Sequence, residues 1–503
     1  MSMAGERESG VVARGPDRTS LTGRTLTGAL WSLGGRFSIQ AVQFIGTVVL
    51  SRFRAPREEG LGASVTVFVA FAALLTDFGI GPCVVHLKSP TAADLATAFW
   101  INAVSGTFLR LLLIALSPLI AEAMHQPALR GLLSLGSLNF TLSVSAVHIA
   151  LLERRLMFAR LLVLECSAAV VGLAASIALA VAGVGASSLV WGSIATTVVT
   201  SIGAFVAVPW RPSRTFTRSA WRRLWAFSGG LFGFNVVNYW GRNGDNLVVG
   251  RALGAMALGL YSRAYGLMLF PVFTVSTALG RVLFPALAQL TAEPERIRAA
   301  YLRALRGSTA VGFPMSIGLA CLAPSLVIVA YGERWAAAGP LLVALSLAGP
   351  PQIVNGTVGA LLKAQGATGL LFRLGAVGAV ACLAAVAVGA VFGVLGAAVA
   401  FAIYAWSNLA FVAWAGRRRV GIRMTDILRA VGPVSGAVVV MAAVVIGVGR
   451  VVVPAGRGMA LTAQFGCGVV VYLIAFRVMA PATWRDLASV RPGGAGQAAG
   501  SGK

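Results

Sequence analysis

GALWSLGGRFSIQAVQFIGTVVLSR, residues 28–52, is an apolar segment with a polar stripe along it. Ser32, Arg36, Gln40, Gln43 and Thr47 recur at spacings of four, four, three and four, which is one face of a helix. A second apolar segment, NVVNYWGRNGDNLVVGR at residues 235–251, repeats the stripe. Adding 199 to Arg36, Gln40, Gln43 and Thr47 gives Asn235, Tyr239, Arg242 and Asn246. The register carries Arg52 onto Arg251 and Gly60 onto Gly259. A polar, arginine-bearing face repeated in two hydrophobic helices predicts a duplicated membrane protein with a shared polar interior. In a bilayer such faces turn to water or to a substrate.

Composition agrees. Of 503 residues 57% are hydrophobic and 11% charged, with a mean hydropathy of +0.83. The class is an all-α polytopic membrane protein. Residues 166–210 and 374–416 are uncharged and each long enough for two spans. Single spans fit the uncharged runs 131–152, 307–332, 335–362, 430–449 and 458–476. Five further apolar segments carry charges: 28–50 (Arg36), 61–87 (Asp77), 93–120 (Arg110), 224–250 (Arg242, Asp245) and 260–290 (Arg263, Arg281). The expected total is fourteen spans, or twelve if some segments are re-entrant or interfacial.

Fourteen spans with a cytoplasmic N-terminus put 28 Lys and Arg in cytoplasmic regions and nine in exterior loops. That is a positive-inside bias. It places both termini in the cytoplasm. It also accounts for the net charge of +25 through basic loops lying on anionic lipid, with no nucleic acid required. Met1–Gly23 lacks the apolar core of a signal peptide.

The chain divides into a basic N-tail (1–24), an N-lobe of spans one to six (25–210) and a basic cytoplasmic linker (211–223). A C-lobe of spans seven to twelve (224–416), spans thirteen and fourteen (417–480) and a disordered tail (481–503), Gly-rich over 491–503, follow. An even number of spans per lobe makes the repeats parallel, related by an axis along the membrane normal. Intramembrane charges fall in spans one, two, three, seven and eight, so spans one, two, seven and eight are expected to line a central cavity.

No Walker-type phosphate loop, H-E-x-x-H or G-x-S-x-G occurs, and the five Cys and three His form no metal-spaced set. No cofactor, metal or catalytic residue is expected. His148, inside a span, reads as a structural histidine more readily than a proton relay. Arg36 and Arg242 carry the chemistry. An arginine at membrane depth costs a few kcal/mol, and its planar fork suits a phosphate or diphosphate. Gln40, Gln43, Tyr239 and Asn246 share their stripes. Asp245 stands three residues from Arg242, the spacing of a neutralising salt bridge. Asp77 and Asp245 are the candidates for ion coupling. Arg52, Arg251 and Arg263, near the exterior end, read as loop charges.

Residues 28–52, NYWGRNGDNLVVGRALGAMALGLYSRAYGLMLFPV (238–272), GRVLFPALAQLTAEPERIRAAYLRALR (280–306) and YGERWAAAGPLL (331–342) resemble the polysaccharide transporter family. The nearest type is the colanic-acid exporter, within the multidrug/oligosaccharidyl-lipid/polysaccharide exporter superfamily. The resemblance extends over about residues 25–480. It implies two six-helix lobes plus two helices, alternating access, and a substrate that is a polyprenyl-diphosphate-linked oligosaccharide. Other polysaccharide-assembly proteins would be partners. By position in spans one and seven, Arg36, Arg242 and Arg251 would correspond to the cavity arginines of the related lipid II flippases. A drug/cation antiporter of the same superfamily is the rival reading, but its site should be acidic and its spans twelve. A membrane glycan polymerase or ligase would need a large exterior catalytic loop, which the chain lacks.

Overall fold

The computed structural model describes residues 42–77, 81, 83–84, 90–289, 293–452 and 456–488. Arg36, Gln40 and the tail 491–503 lie outside the described residues, as do the side chains of Asp77 and Arg281.

Every regular element described is a helix. The first half of the chain holds α1 (Val42–Phe53), α2 (Pro56–Asp77) and α3 (Ala92–Ala123). Next come the short helices α4 (Leu129–Gly136), α5 (Leu138–Leu142) and α6 (Ala146–Arg154), then α7 (Phe158–Val181) and α8 (Ser187–Ala207). The second half holds α9 (Arg218–Gln289), α10 (Pro294–Tyr331), α11 (Ala338–Ser346), α12 (Gly349–Ala364), α13 (Thr368–Ala390) and α14 (Gly393–Val420). Two long helices, α15 (Met424–Val452) and α16 (Arg457–Met479), precede the short α17 (Pro481–Ala488).

Local chemistry sets several of these ends. Thr91 and Asp94 form a capping box that starts α3, each side chain taking the other's backbone N–H. Pro294 opens α10 where no N–H is missed. Gly421, at φ 67°, closes α14 in the left-handed region. Gly254, at φ 81° and ψ 178°, breaks α9 into two halves.

Among the described residues eleven helices are long and apolar enough to cross a bilayer, or twelve if the bent pair Leu129–Leu142 and Ala146–Arg154 is one span. The expected fourteen is not confirmed by this count. The first expected span is described only from Val42. The stretch Asn235–Ser276 counts once although it is 42 residues long, about 63 Å of helix, twice a hydrocarbon core of about 30 Å. The Gly254 break lies in its middle.

Buried side chains form separate interiors in the two halves. Val65, Leu109, Leu133, Phe140 and Ile194 pack within α2–α8, beside a second cluster around Phe99, Val147 and Leu164. Leu258, Tyr261, Met268, Trp335 and Phe401 pack within α9–α14. Leu287, Tyr301 and Ile353 join Val434 and Tyr472, so α15 and α16 dock on the second bundle. The outer faces are apolar too: Val104, Phe108, Leu111 and Leu119 on α3 and Val380 and Val388 on α13 are exposed. Water does not tolerate an apolar surface of that extent; these faces meet lipid, and the chain is a multi-pass membrane protein.

The basic linker folds back on the first bundle. Trp100 Nε1 donates to the Ser213 carbonyl (2.8 Å), the Thr217 amide donates to Thr97 Oγ1 (3.2 Å), and Arg223 pairs with Asp94 (2.5 Å). His148 is buried, with Nε2 3.3 Å from the Trp210 carbonyl and its ring centroid 3.9 Å from that of Phe205. Residues 481–488, assigned to a disordered tail from sequence, are helical instead. Trp484 packs against Phe476 and under the Arg477 guanidinium, which gives the segment an anchor that its polar composition hides.

Candidate functional site

α1, α2 and the two halves of α9 meet between the bundles. Gly60 on α2 and Gly259 on the second half of α9 let the two helices cross backbone to backbone. A Cβ on Gly60 would lie 2.8 Å from the Gly259 nitrogen, and a Cβ on Gly259 would lie 3.0 Å from the Gly60 nitrogen. Further along α2, Tyr239 Oη donates to the Val67 carbonyl (2.5 Å). The Phe71 ring sits 5.6 Å from Tyr239 and 4.9 Å from Trp240. Phe44 of α1 meets Phe270 of α9 at 6.5 Å.

Of the stripe residues, Gln43 is exposed on α1 and Arg242 is exposed on α9. Among the described residues no carboxylate lies within ion-pair distance of Arg242. Asp245 does not pair with it. Asp245 is buried, accepting from Tyr261 Oη (3.0 Å) and from the Asn246 amide (2.9 Å). The carboxylate thus braces the two halves of α9 across the Gly254 break. Asn246 Oδ1 is buried without a hydrogen-bond partner.

Arg251 stands apart from this stripe, at the end of the molecule that carries Gly60. Its Nη1 donates to His125 Nδ1 in the other bundle (2.5 Å). Arg52, its repeat equivalent, donates across the same divide to the Ala330 carbonyl (3.0 Å) and to the Val329 carbonyl. One residue earlier the relation recurs. Trp335 Nε1 donates to the Ser51 carbonyl (2.9 Å), and Gln126 Nε2 donates to the Gly250 carbonyl (3.0 Å). Ser51 and Gly250 are 199 residues apart. Each bundle therefore supplies a donor to the C-terminal carbonyls of the other bundle's helix, where a helix lacks its own donors.

Beside the glycine crossing lies a charged cluster that sequence reasoning treated as loop charge. Glu59 Oε2 is 2.7 Å from Arg263 Nη2 of the opposite bundle and 3.9 Å from Arg54 Nη1 of its own. The Arg263 guanidinium lies over the Trp335 ring at 5.9 Å. Arg54 is 1% exposed, and burial pushes its guanidinium below the ordinary arginine value against the opposing pull of Glu59. The 199-residue pairing of Gly60 with Gly259 was the one signal that could have pointed here.

A separate cavity of about 760 Å³ lies within the first bundle, lined by Thr66, Thr76, Asn102, Asn139, Ser193 and Thr197 among others. Asn139 is held by Thr197 Oγ1 (2.6 Å) and Ser193 Oγ (3.1 Å). Among the described residues no three His, Cys, Asp or Glu side chains group to hold a metal.

Comparison with known proteins agrees with this architecture. The lipopolysaccharide biosynthesis protein WzxC of Escherichia coli (strain K12) is 28% identical over 357 residues, 70% of this chain and 73% of that protein. The teichuronic acid biosynthesis protein TuaB of Bacillus subtilis (strain 168) is 26% identical over 364 residues, 70% and 74% of the two chains. The succinoglycan biosynthesis transport protein ExoT of Rhizobium meliloti (strain 1021) is 28% identical over 318 residues, 63% and 64%. The fold is that of the lipid II flippase MurJ in its inward closed conformation, with a TM-score of 0.70 at 15% identity, covering 92% of this chain and 100% of that one. An inward-facing multidrug resistance MATE family transporter follows at a TM-score of 0.59 and 14% identity, covering 76% and 94%. The polysaccharide biosynthesis protein family matches residues 49–340, more than half of the sequence, and the chain belongs to that family.

Proposed function

We propose that this protein is a flippase. It moves a polyprenyl-diphosphate-linked oligosaccharide, a repeat unit of a lipopolysaccharide or exopolysaccharide, across the bacterial cytoplasmic membrane. It works by alternating access between lobes 25–210 and 224–416, with fourteen spans in all. The linker end faces the cytoplasm and the Gly60 end faces the exterior. The protein is a carrier and not an enzyme.

The observation that carries this reading is Arg242, exposed on the inter-bundle helix α9 with no described carboxylate in reach, in a chain of this family. An uncompensated guanidinium at membrane depth is costly unless it serves an anion. Its fork matches a diphosphate. Arg36, Gln40 and Gln43 supply the equivalent face from span one, and Asp77 and Asp245 remain the candidates for ion coupling. The polyprenyl chain stays in lipid while the sugar passes between the lobes.

The test is glycan export in a strain whose copy of the gene is deleted, complemented with the wild-type chain. Export should stop on deletion, lipid-linked repeat units should collect on the inner leaflet, and complementation should restore export. Normal export after deletion, with no paralogue present, would refute the assignment.

A further inference from the structure

The Arg54–Glu59–Arg263 cluster is unbalanced in a way that points to a ligand. Two guanidiniums share one carboxylate in a nearly dry place: the side chains of Arg54, Arg263 and Glu59 are 1%, 10% and 12% exposed. Arg54 Nε and Nη1 and Arg263 Nε are buried with no hydrogen-bond partner. Arg54 Nη2 reaches only the Ser176 carbonyl, at 3.4 Å. The neighbouring carboxylate, Glu58, accepts from the Ala55 amide (3.2 Å) and makes no ion pair with either guanidinium, although its charge is felt by Arg54. Buried donors of this kind are normally satisfied, and a buried charge is normally fully paired. Here Glu59 Oε2 is also without a hydrogen-bond partner, but three of the four unmet atoms are guanidinium nitrogens, and they lie on both sides of the boundary between the bundles.

The position of the cluster gives the shortfall a use. Arg54 and Glu59 belong to the first bundle and Arg263 to the second, and Gly60 and Gly259 cross beside them. Parting the bundles at this end must pull Arg263 away from Glu59. It would then leave two forks, with unused nitrogens, facing a widening gap.

We propose that Arg54 and Arg263 form an exit-side site for the diphosphate of the translocated lipid, and that Glu59 occupies that site in its place while the Gly60 end is shut. The proposal rests on the flippase reading above and on its sidedness. The diphosphate and Glu59 compete for Arg263, so the anion binds the open form better than the closed one. A ligand with that preference shifts the equilibrium toward opening. Substrate arriving from the cytoplasmic side would thereby unlock its own exit, and after its release Glu59 would return to Arg263 and reseal the end.

The test uses the full-length protein in phosphatidylcholine nanodiscs, with inorganic pyrophosphate and farnesyl diphosphate as probes and binding followed by calorimetry. Glu59→Gln removes the competitor and should tighten both probes at least tenfold, a gain that misfolding cannot produce. Arg54→Gln and Arg263→Gln should each weaken both at least tenfold, and Arg263→Lys should recover only part of the loss. Wild-type affinity in Glu59→Gln, together with unchanged affinity in both glutamine variants of the arginines, would overturn the proposal. Nanodiscs doped with phosphatidylglycerol separate the two sources of phosphate. If that lipid displaces pyrophosphate as well as farnesyl diphosphate does, the site is a headgroup site and the diphosphate assignment is wrong. Export by the wild-type chain is scored separately. Export with unaltered binding in the variants defeats only this proposal, and failure of the chain to support any export defeats the flippase reading.

Discussion

Gly60 and Gly259 are repeat equivalents, 199 residues apart, and they lie against each other. Two equivalent residues can touch only where the axis relating the two halves passes. The pseudo-two-fold axis therefore runs through the crossing of α2 with the second half of α9. The pairs Ser51/Gly250 and Arg52/Arg251 flank it, and each member bonds to the opposite bundle. The Gly60 end is held by a symmetric set of contacts around one backbone crossing.

Substituting either glycine should loosen that end. A methyl at 60 would be driven into the Ala255 carbonyl and one at 259 into the Pro56 carbonyl. Overpacking of this sort costs about 1–3 kcal/mol. Gly60→Ala and Gly259→Ala should each lower the melting temperature of the purified protein. The double variant should cost less than the sum, because both methyls part the same crossing. Additive losses would show that the two positions do not share a contact.

The symmetric donors make a paired prediction. Trp335→Phe keeps the ring near Arg263 but removes the donor to Ser51, and Gln126→Leu removes the donor to Gly250. Each leaves a helix-end carbonyl short of a partner, at about 1–3 kcal/mol. Both variants should raise the reactivity of cysteines placed at Gly60-end positions toward an impermeant thiol reagent, by similar factors. A response to one variant alone would argue against a symmetric closure.

Much of this was legible in the sequence. Hydrophobic run lengths marked out the apolar helices, and the 199-residue register paired Gly60 with Gly259, the two residues found at the backbone crossing. Arg54 was not legible. It lies in a charged stretch, Arg52 to Glu59, that has the composition of a solvated loop, and only tertiary packing shows it to be buried. The ion pair of Asp245 with Arg242, the less favoured of the two sequence readings, does not form. Helical spacing offered Arg242 as the partner of Asp245, but the Gly254 break folds Tyr261 back onto the carboxylate, and no local rule encodes a contact across that break. The Gln126 and Trp335 donors were equally hidden, because their spacing departs from 199 as the loops between spans change length.

Topology can be checked directly. Reporter fusions after residues 215 and 420 should report cytoplasm, and fusions after 185 and 457 should report the exterior. The basis is the excess of Arg in the 211–223 linker and at Arg417–Arg419. An exterior signal at 215 would invert the orientation and with it the assignment of the Gly60 end to the exit.

Arg242 is the sharpest functional test. Arg242→Ala should abolish glycan export at normal protein levels in the membrane, because no described residue stands ready to replace its charge. Arg242→Lys should restore export only in part, since lysine keeps the charge but loses the two-pronged geometry that suits a diphosphate. The melting temperature should hardly move in either variant. The side chain is exposed, and Asp245 is satisfied by Tyr261 instead, so no buried partner is orphaned. A stability loss of several degrees would instead assign Arg242 a structural role. Full export by Arg242→Ala would remove the phosphate clamp from the mechanism while leaving the transport assignment to the deletion experiment.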